Sequence, residues 1–223
     1  MIRLSRLMTA AALLALLPAG PLAAQQPAPM VSPAPMMGPA SAPLPRKLPA
    51  PELAALLRKG GYVLLMRHTN SPNERPTAAT AEPGNTALER QLDAKGHADA
   101  REFGAAIKRL GIRFGKVYAS PTFRARAVVA DAGLTASETP AFLDTPTPET
   151  REASAAALTA LLKQPVPKGA DVVIITHFPN VTAALGPEGR GLGEGDAAVI
   201  KPEGKSFTLV GALAIGDWAT LGR

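Results

Sequence analysis

The chain of 223 residues contains no cysteine. That absence excludes disulfides, Cys-ligated zinc and a thiol nucleophile, and with them a lipid anchor on a processed N-terminal cysteine. Aromatic residues make up 4%, too few for base-stacking surfaces. Long runs of Lys or Arg are missing as well. Lys+Arg number 24 against 18 Asp+Glu, for a formal charge of +6. This mild basicity favours small anions and argues against nucleic acid as a partner. Histidine is scarce too, with three in the chain: His68, His97 and His177. No His-Glu-x-x-His spacing occurs, so the sequence points to no metal and no cofactor.

Extended apolar runs are limited to Met8–Leu17, too short for a comfortable membrane span. Arg3 and Arg6 precede it, Pro18, Gly20 and Pro21 break it, and Leu22-Ala23-Ala24 offers small residues before Gln25. Residues 1–24 therefore read as a cleaved signal peptide, with an uncleaved anchor as the alternative. Residues 25–51 are Pro, Ala, Met and Ser without a hydrophobic period. They are predicted to be a disordered linker, followed by one domain over 52–223. The expected location is periplasmic or secreted, with no stable membrane insertion after signal removal.

Within the domain, strand and helix patterns alternate. Glu52–Lys59 reads as a short helix and Tyr62–Met66 as a buried strand. Thr69–Gln91, with Pro72, Pro76, Pro83 and Gly84, reads as a long loop. Asp93 is a helix cap for Ala94–Leu110, and Gly111 stops that helix. Lys116–Ala119 is a strand. Ser120-Pro121 offers an N-cap and a first-turn proline for a helix to about Ala132. A helix over Pro148–Lys163 and a strand over Asp171–Thr176 follow. Ala197–Ile200 and Phe207–Ile215 form a closing pair of strands through Pro202-Glu203-Gly204. The pattern predicts an α/β domain with a mostly parallel sheet covered on both faces.

In such sheets ligands bind beyond the carboxyl ends of the strands. Three strands end in residues suited to phosphate: Arg67-His68, Ser120 with Arg124 one turn on, and Thr176-His177. A neutral imidazole can attack phosphorus and split the transfer into two steps. Two guanidinium groups can hold the phosphoryl oxygens in bidentate fashion. A helix opening at Ser120 would add free backbone N–H groups. Any one of these residues alone reads as well as a surface charge or a polar loop residue; the ordered set of three favours catalysis. His97, beside Lys95 and Asp99, reads as a solvated surface residue.

Leu64-Leu65-Met66-Arg67-His68 resembles the Arg-His-Gly motif of the histidine phosphatase superfamily, which includes phosphoglycerate mutase-like enzymes. Leu92-Asp93-Ala94-Lys95-Gly96, Ser120-Pro121-Thr122-Phe123-Arg124-Ala125 and Ile175-Thr176-His177-Phe178-Pro179-Asn180 resemble its later segments. The resemblance spans roughly Gly61 to Trp218. It implies a three-layer α/β/α sandwich around a mixed sheet and metal-independent phosphatase chemistry. It also implies His68 as nucleophile, Arg67 and Arg124 as phosphate ligands, and His177 completing the pocket.

The chain departs from that pattern at Thr69, at Phe178 and at Val128, changes expected to crowd the site or alter its hydrogen bonding. The general acid has no clear local match. Asp144 is the nearest candidate, with Glu149, Glu152, Glu194 and Asp196 as others. Arg75 and Arg90 in the long loop either bind an acidic substrate or sit in solvent. The expected substrate is a small phosphorylated molecule, with an envelope sugar phosphate as one candidate. The competing expectation is a non-catalytic phosphate- or glycan-binding protein.

Overall fold

The computed structural model describes residues 43–223. The expected signal peptide and most of the expected linker lie outside the described residues.

The central strands carry unbroken apolar runs, Val63–Met66 and Val172–Ile175, and these are buried on both faces. In β1 (Val63–Arg67) and β3 (Asp171–Thr176), alternate residues feed two cores. Leu64, Met66, Val173 and Ile175 enter one core. Val63, Leu65, Val172 and Ile174 enter the other. On the first face lie α1 (Ala50–Lys59), α2 (Ala94–Leu110) and α3 (Phe123–Asp131), which contribute Leu53, Phe103 and Val128 among others. On the second lie α4 (Arg151–Leu162) and α5 (Phe178–Leu185), which contribute Leu158 and Val181. The result is the expected helix–sheet–helix layering.

The sheet has five strands in the order β2-β3-β1-β4-β5, with β2 over Phe114–Ala119, β4 over Ala197–Pro202 and β5 over Phe207–Leu213. The β2-β3-β1 half is parallel, whereas β4 runs antiparallel to β1 and β5 antiparallel to β4. The sheet is mixed, as expected: β4 alone runs against the other four strands, because the short hairpin turn between β4 and β5 permits only antiparallel pairing. The parallel register sets Arg67 opposite Thr176 and Ala119 opposite Ile175. The residues that follow, His68, His177 and Ser120, therefore leave the sheet at one edge. Among the described residues no helix is long and apolar enough to cross a membrane.

Several local expectations are met. Asp93 caps α2 by accepting from Gly96 N at 2.7 Å, and Gly111 ends that helix with φ 68°. Others need correction. Leu44 and Leu48 pack on the domain and Arg46 pairs with Asp217 at 2.9 Å, so the folded unit starts before Glu52. Ser120 does not cap α3: Thr122 holds the N-cap position and the helix begins at Phe123. Helix α5 was not expected at all. His97 is not a free surface residue. Its Nδ1 lies 2.6 Å from Asp131 Oδ2 and its Nε2 3.1 Å from Glu82 Oε1, tying the long loop to α2 and α3. Partial burial opposes its charge, but the hydrogen bonds to Asp131 and Glu82 outweigh that and raise its pKa.

Helices α2 and α3 approach closely at Gly104. A Cβ there would lie 2.2 Å from the Ala132 carbonyl oxygen, a backbone atom that cannot step aside. Alanine would gain ~1 kcal/mol of helix propensity, while overpacking costs about 1–3 kcal/mol or more. The clash should win. With a backbone clash at the upper end of that range, Gly104→Ala is expected to destabilise the fold by roughly 2 kcal/mol net, seen as a lower denaturation midpoint; a midpoint at or above the parent's would show that the contact is not tight.

Candidate active site

The strand ends bring His68 and His177 to a ring-centroid separation of 5.2 Å. Both are buried, at 4% and 2% exposure. Their hydrogen bonds assign their tautomers. His68 Nδ1 lies 2.8 Å from the Thr69 carbonyl oxygen. A carbonyl only accepts, so Nδ1 carries the proton and Nε2 keeps its lone pair. His177 Nδ1 lies 3.0 Å from an Arg124 guanidinium nitrogen, which only donates, so here Nδ1 accepts. The His177 Nε2–H then donates to Ser120 Oγ at 2.8 Å. The two imidazoles are held in opposite tautomers.

Electrostatics keep both neutral. Burial is the main cause in each case. It pushes His68 down to about 4, with the charges of Arg124, Arg67 and Arg90 adding to it against the Thr69 hydrogen bond. Burial and the same arginines, Arg124 foremost, push His177 to about 2. Arg90 is the residue whose role the sequence left open. Its guanidinium is tethered to the Ser71 and Pro72 carbonyls and its charge acts on both histidines. Arg75 is exposed.

Arg124, buried at the start of α3, also donates to Thr145 Oγ1 at 3.1 Å. Arg67 donates to the Leu192 carbonyl and lies 4.9 Å from the centre of the Phe178 ring. Arg67 Nε, Arg124 Nε and Thr69 Oγ1 are buried without a hydrogen-bond partner among the described residues. Such orphans are rare and costly in an interior. Ser120 sits beneath His177 and ties it to Thr122, whose N–H donates to Ser120 Oγ at 3.2 Å. The free helix N–H groups expected near Ser120 are partly taken: Phe123 N donates to Glu89 Oε2 at 2.9 Å. Sequence reasoning missed Glu89, whose partner lies 34 positions away.

The carboxylate candidates separate clearly. Asp144 Oδ1 stands 3.9 Å from His177 Nε2 with its side chain 49% exposed. Its segment is pinned by buried Asn180, whose amide donates to the Leu143 and Asp144 carbonyls at 2.9 and 2.8 Å. Asn180 was missed as a functional residue; one turn into α5, it faces this segment rather than solvent. Glu149 and Glu152 are exposed. Glu194 accepts from Ser71 N at 3.2 Å. Asp196 has both oxygens engaged by backbone, from Gly193 N at 2.7 Å and Ile215 N at 2.9 Å. Phe178 does not crowd the histidine pair; it is turned outward and 40% exposed. Val128 is a fully buried core residue. Among the described residues no three His, Asp or Glu side chains gather in a metal-binding group.

With three histidines in the chain, imidazole NMR should show three Cε1–H signals. His97 should titrate above 6.5. The other two should stay neutral to about pH 4 or below, with Nδ1–H on His68 and Nε2–H on His177. The linked stability has opposite signs. The His97 contribution is full below its unfolded pKa near 6.5 and is lost as pH rises through its raised folded value. The His68 contribution is present above 6.5 and is lost as pH falls toward about 4. A site histidine titrating near 6.5 would contradict the buried, arginine-flanked arrangement.

No protein-family model matches the sequence, and neither does any curated protein. Solved structures do match. The protein histidine phosphatase SixA, complexed with tungstate, superposes with a TM-score of 0.54 at 20% identity, covering 70% of this chain and 98% of that one. A phosphoserine phosphatase mutant from Entamoeba histolytica, in complex with phosphoserine, gives a TM-score of 0.47 at 13% identity over 69% and 97% of the two chains. The five-stranded mixed sheet flanked by helices is therefore the fold of the histidine phosphatase SixA.

Proposed function

We propose that the chain is a phosphatase that hydrolyses a phosphomonoester, or a similar phosphate group, through a phosphohistidine at His68. The observation that carries this reading is the state of His68. It is a neutral imidazole whose Nδ1 proton is spent on a backbone carbonyl, so Nε2 is free to attack, and arginines flank it. The three orphaned donors on Arg67, Arg124 and Thr69 support it, since a tetrahedral oxyanion is the kind of ligand that satisfies several donors at once. SixA, whose fold the chain shares, binds the tetrahedral oxyanion tungstate.

The steps follow from that geometry. His68 Nε2 attacks phosphorus; a P–N bond forms as the bond to the leaving oxygen breaks. Arg67 and Arg124 hold the phosphoryl oxygens and spread positive charge over the transition state, while the Ser120–His177 pair lines the same pocket. Asp144 acts as the general acid and gives a proton to the leaving oxygen. Water then attacks phosphorus, the P–N bond breaks, Asp144 takes the water's proton and inorganic phosphate departs. Asp144 fits the acid role through its placement beside His177 and its solvent access, which allows reprotonation. The reading of residues 1–24 as an export signal supports action outside the cytoplasm, on an envelope phosphate such as a sugar phosphate.

Purified protein is expected to release phosphate from an aryl phosphate without added metal, and His68→Ala to remove that release. A general acid contributes about 10²–10⁴-fold, most for poor leaving groups. Asp144→Asn should therefore slow an alkyl phosphate far more than an aryl phosphate. Equal slowing of both would move the acid elsewhere, to Glu194 first. Phosphate binding without any turnover would favour the binding-protein reading instead.

A further inference from the structure

A groove of about 1060 Å³ is walled at one end by Arg67 and Phe178, the residues directly before His68 and after His177 in the chain. From there it follows α5 and the turn at Gly186–Gly191. Arg151, from the start of α4, and Arg190, from that turn, line it as well. The volume suits an organic leaving group of sugar or nucleoside size.

Its charge is one-sided. Arg151 and Arg190 are exposed, and neither makes an ion pair or a side-chain hydrogen bond among the described residues. The only carboxylate in the lining, Asp196, already accepts two backbone N–H groups. Glu188, on the same turn as Arg190, is paired with Lys47 at 2.7 Å and does not line the groove. Phe178 adds an apolar surface. It is the exposed large hydrophobic residue of the described chain, at 40%, with the Arg67 guanidinium over its ring. Arg67 thus belongs to both spaces: it acts on the two histidines and it walls the groove.

We propose that this groove is an anion subsite for the leaving group. The substrate is an organic phosphomonoester that carries a second anionic group, a carboxylate or a second phosphate. The scissile phosphate lies at His68, the organic part lies against Phe178, and Arg151 and Arg190 receive the distal anion. The assignment rests on the phosphatase reading for the position of the scissile group. The subsite itself rests on the unpaired arginines and the groove they line. The contacts are charge-assisted and partly exposed, so they weaken with salt.

The test compares phenyl phosphate with phenyl phosphates bearing a meta or para carboxylate or methylphosphonate group, in the parent protein and in the Arg151→Ala/Arg190→Ala variant. For the parent, at least one anionic substrate should exceed phenyl phosphate in kcat/KM by about tenfold at low salt. That ratio should fall toward one in the double variant, with the loss carried by KM. The carboxylate and phosphonate arms distinguish the two sources of the distal charge. Equal kcat/KM for charged and uncharged substrates, or a preference that survives the double substitution, would overturn the subsite while leaving the phosphatase reading intact. Calorimetry with the matching phenylphosphonates, which cannot be turned over, covers the other failure. A preference for the carboxylated phosphonate that is lost in the double variant supports the subsite even if no phosphate ester is hydrolysed.

Discussion

Parallel pairing of β2, β3 and β1 is the constraint from which the site follows. A parallel ladder sends every strand out of the sheet at the same edge. The register then sets the rows: Arg67 opposite Thr176, and Ala119 opposite Ile175. Two backbone bonds carry that register one residue past the strands, His68 N to the Thr176 carbonyl and Ser120 N to the Ile175 carbonyl. Residues separated by more than fifty positions, Ser120 and His177, come into hydrogen-bond contact as a result. A shift of one residue in β1 would turn His68 to the opposite face of the sheet.

Electrostatics then set the state of the two imidazoles. An imidazole in water is part protonated near neutrality, and a protonated imidazole has no lone pair to attack with. Burial and the surrounding arginines remove that competition: relative to a free imidazole, protonating His68 in the folded protein costs an extra amount on the order of 3 kcal/mol. The same arginines that keep His68 neutral are suited to an incoming phosphate. Thr69 and Arg124 contribute further by selecting the tautomers, through one acceptor and one donor that have no alternative role. Asn180 and Thr176 extend this ordering outward, since both bond to the Leu143 carbonyl and hold the Asp144 segment over His177.

Much of this was legible in the amino-acid order, and the misses have physical causes. The buried runs in β1 and β3, the Asp93 cap and the β4–β5 hairpin are local patterns, and they appear where expected. The pairing of strand ends with His68, Ser120 and His177 was legible because it depends on topology and not on side-chain detail. Helix α5 escaped because it is short, 8 residues, and opens with Phe178-Pro179, which reads as a turn. Ser120 carries a capping signature, yet its hydroxyl is drawn instead to His177, leaving Thr122 at the cap position. His97 looked solvated from its helix neighbours alone; its partners Asp131 and Glu82 lie 34 and 15 positions away. Arg90 was ambiguous for the same reason, because only the fold of the 69–91 loop brings it to the histidines.

The central claim is that His68 Nε2 forms a covalent bond to phosphorus. Rapid quenching during turnover of an aryl phosphate, followed by peptide mapping under alkaline conditions that preserve phosphohistidine, tests it directly. The account predicts one phosphoryl group on His68, bonded through Nε2, and none in His68→Ala protein. Turnover at full rate with no phosphorylated peptide, or a phosphoryl group on His177 or Ser120 instead, would contradict it.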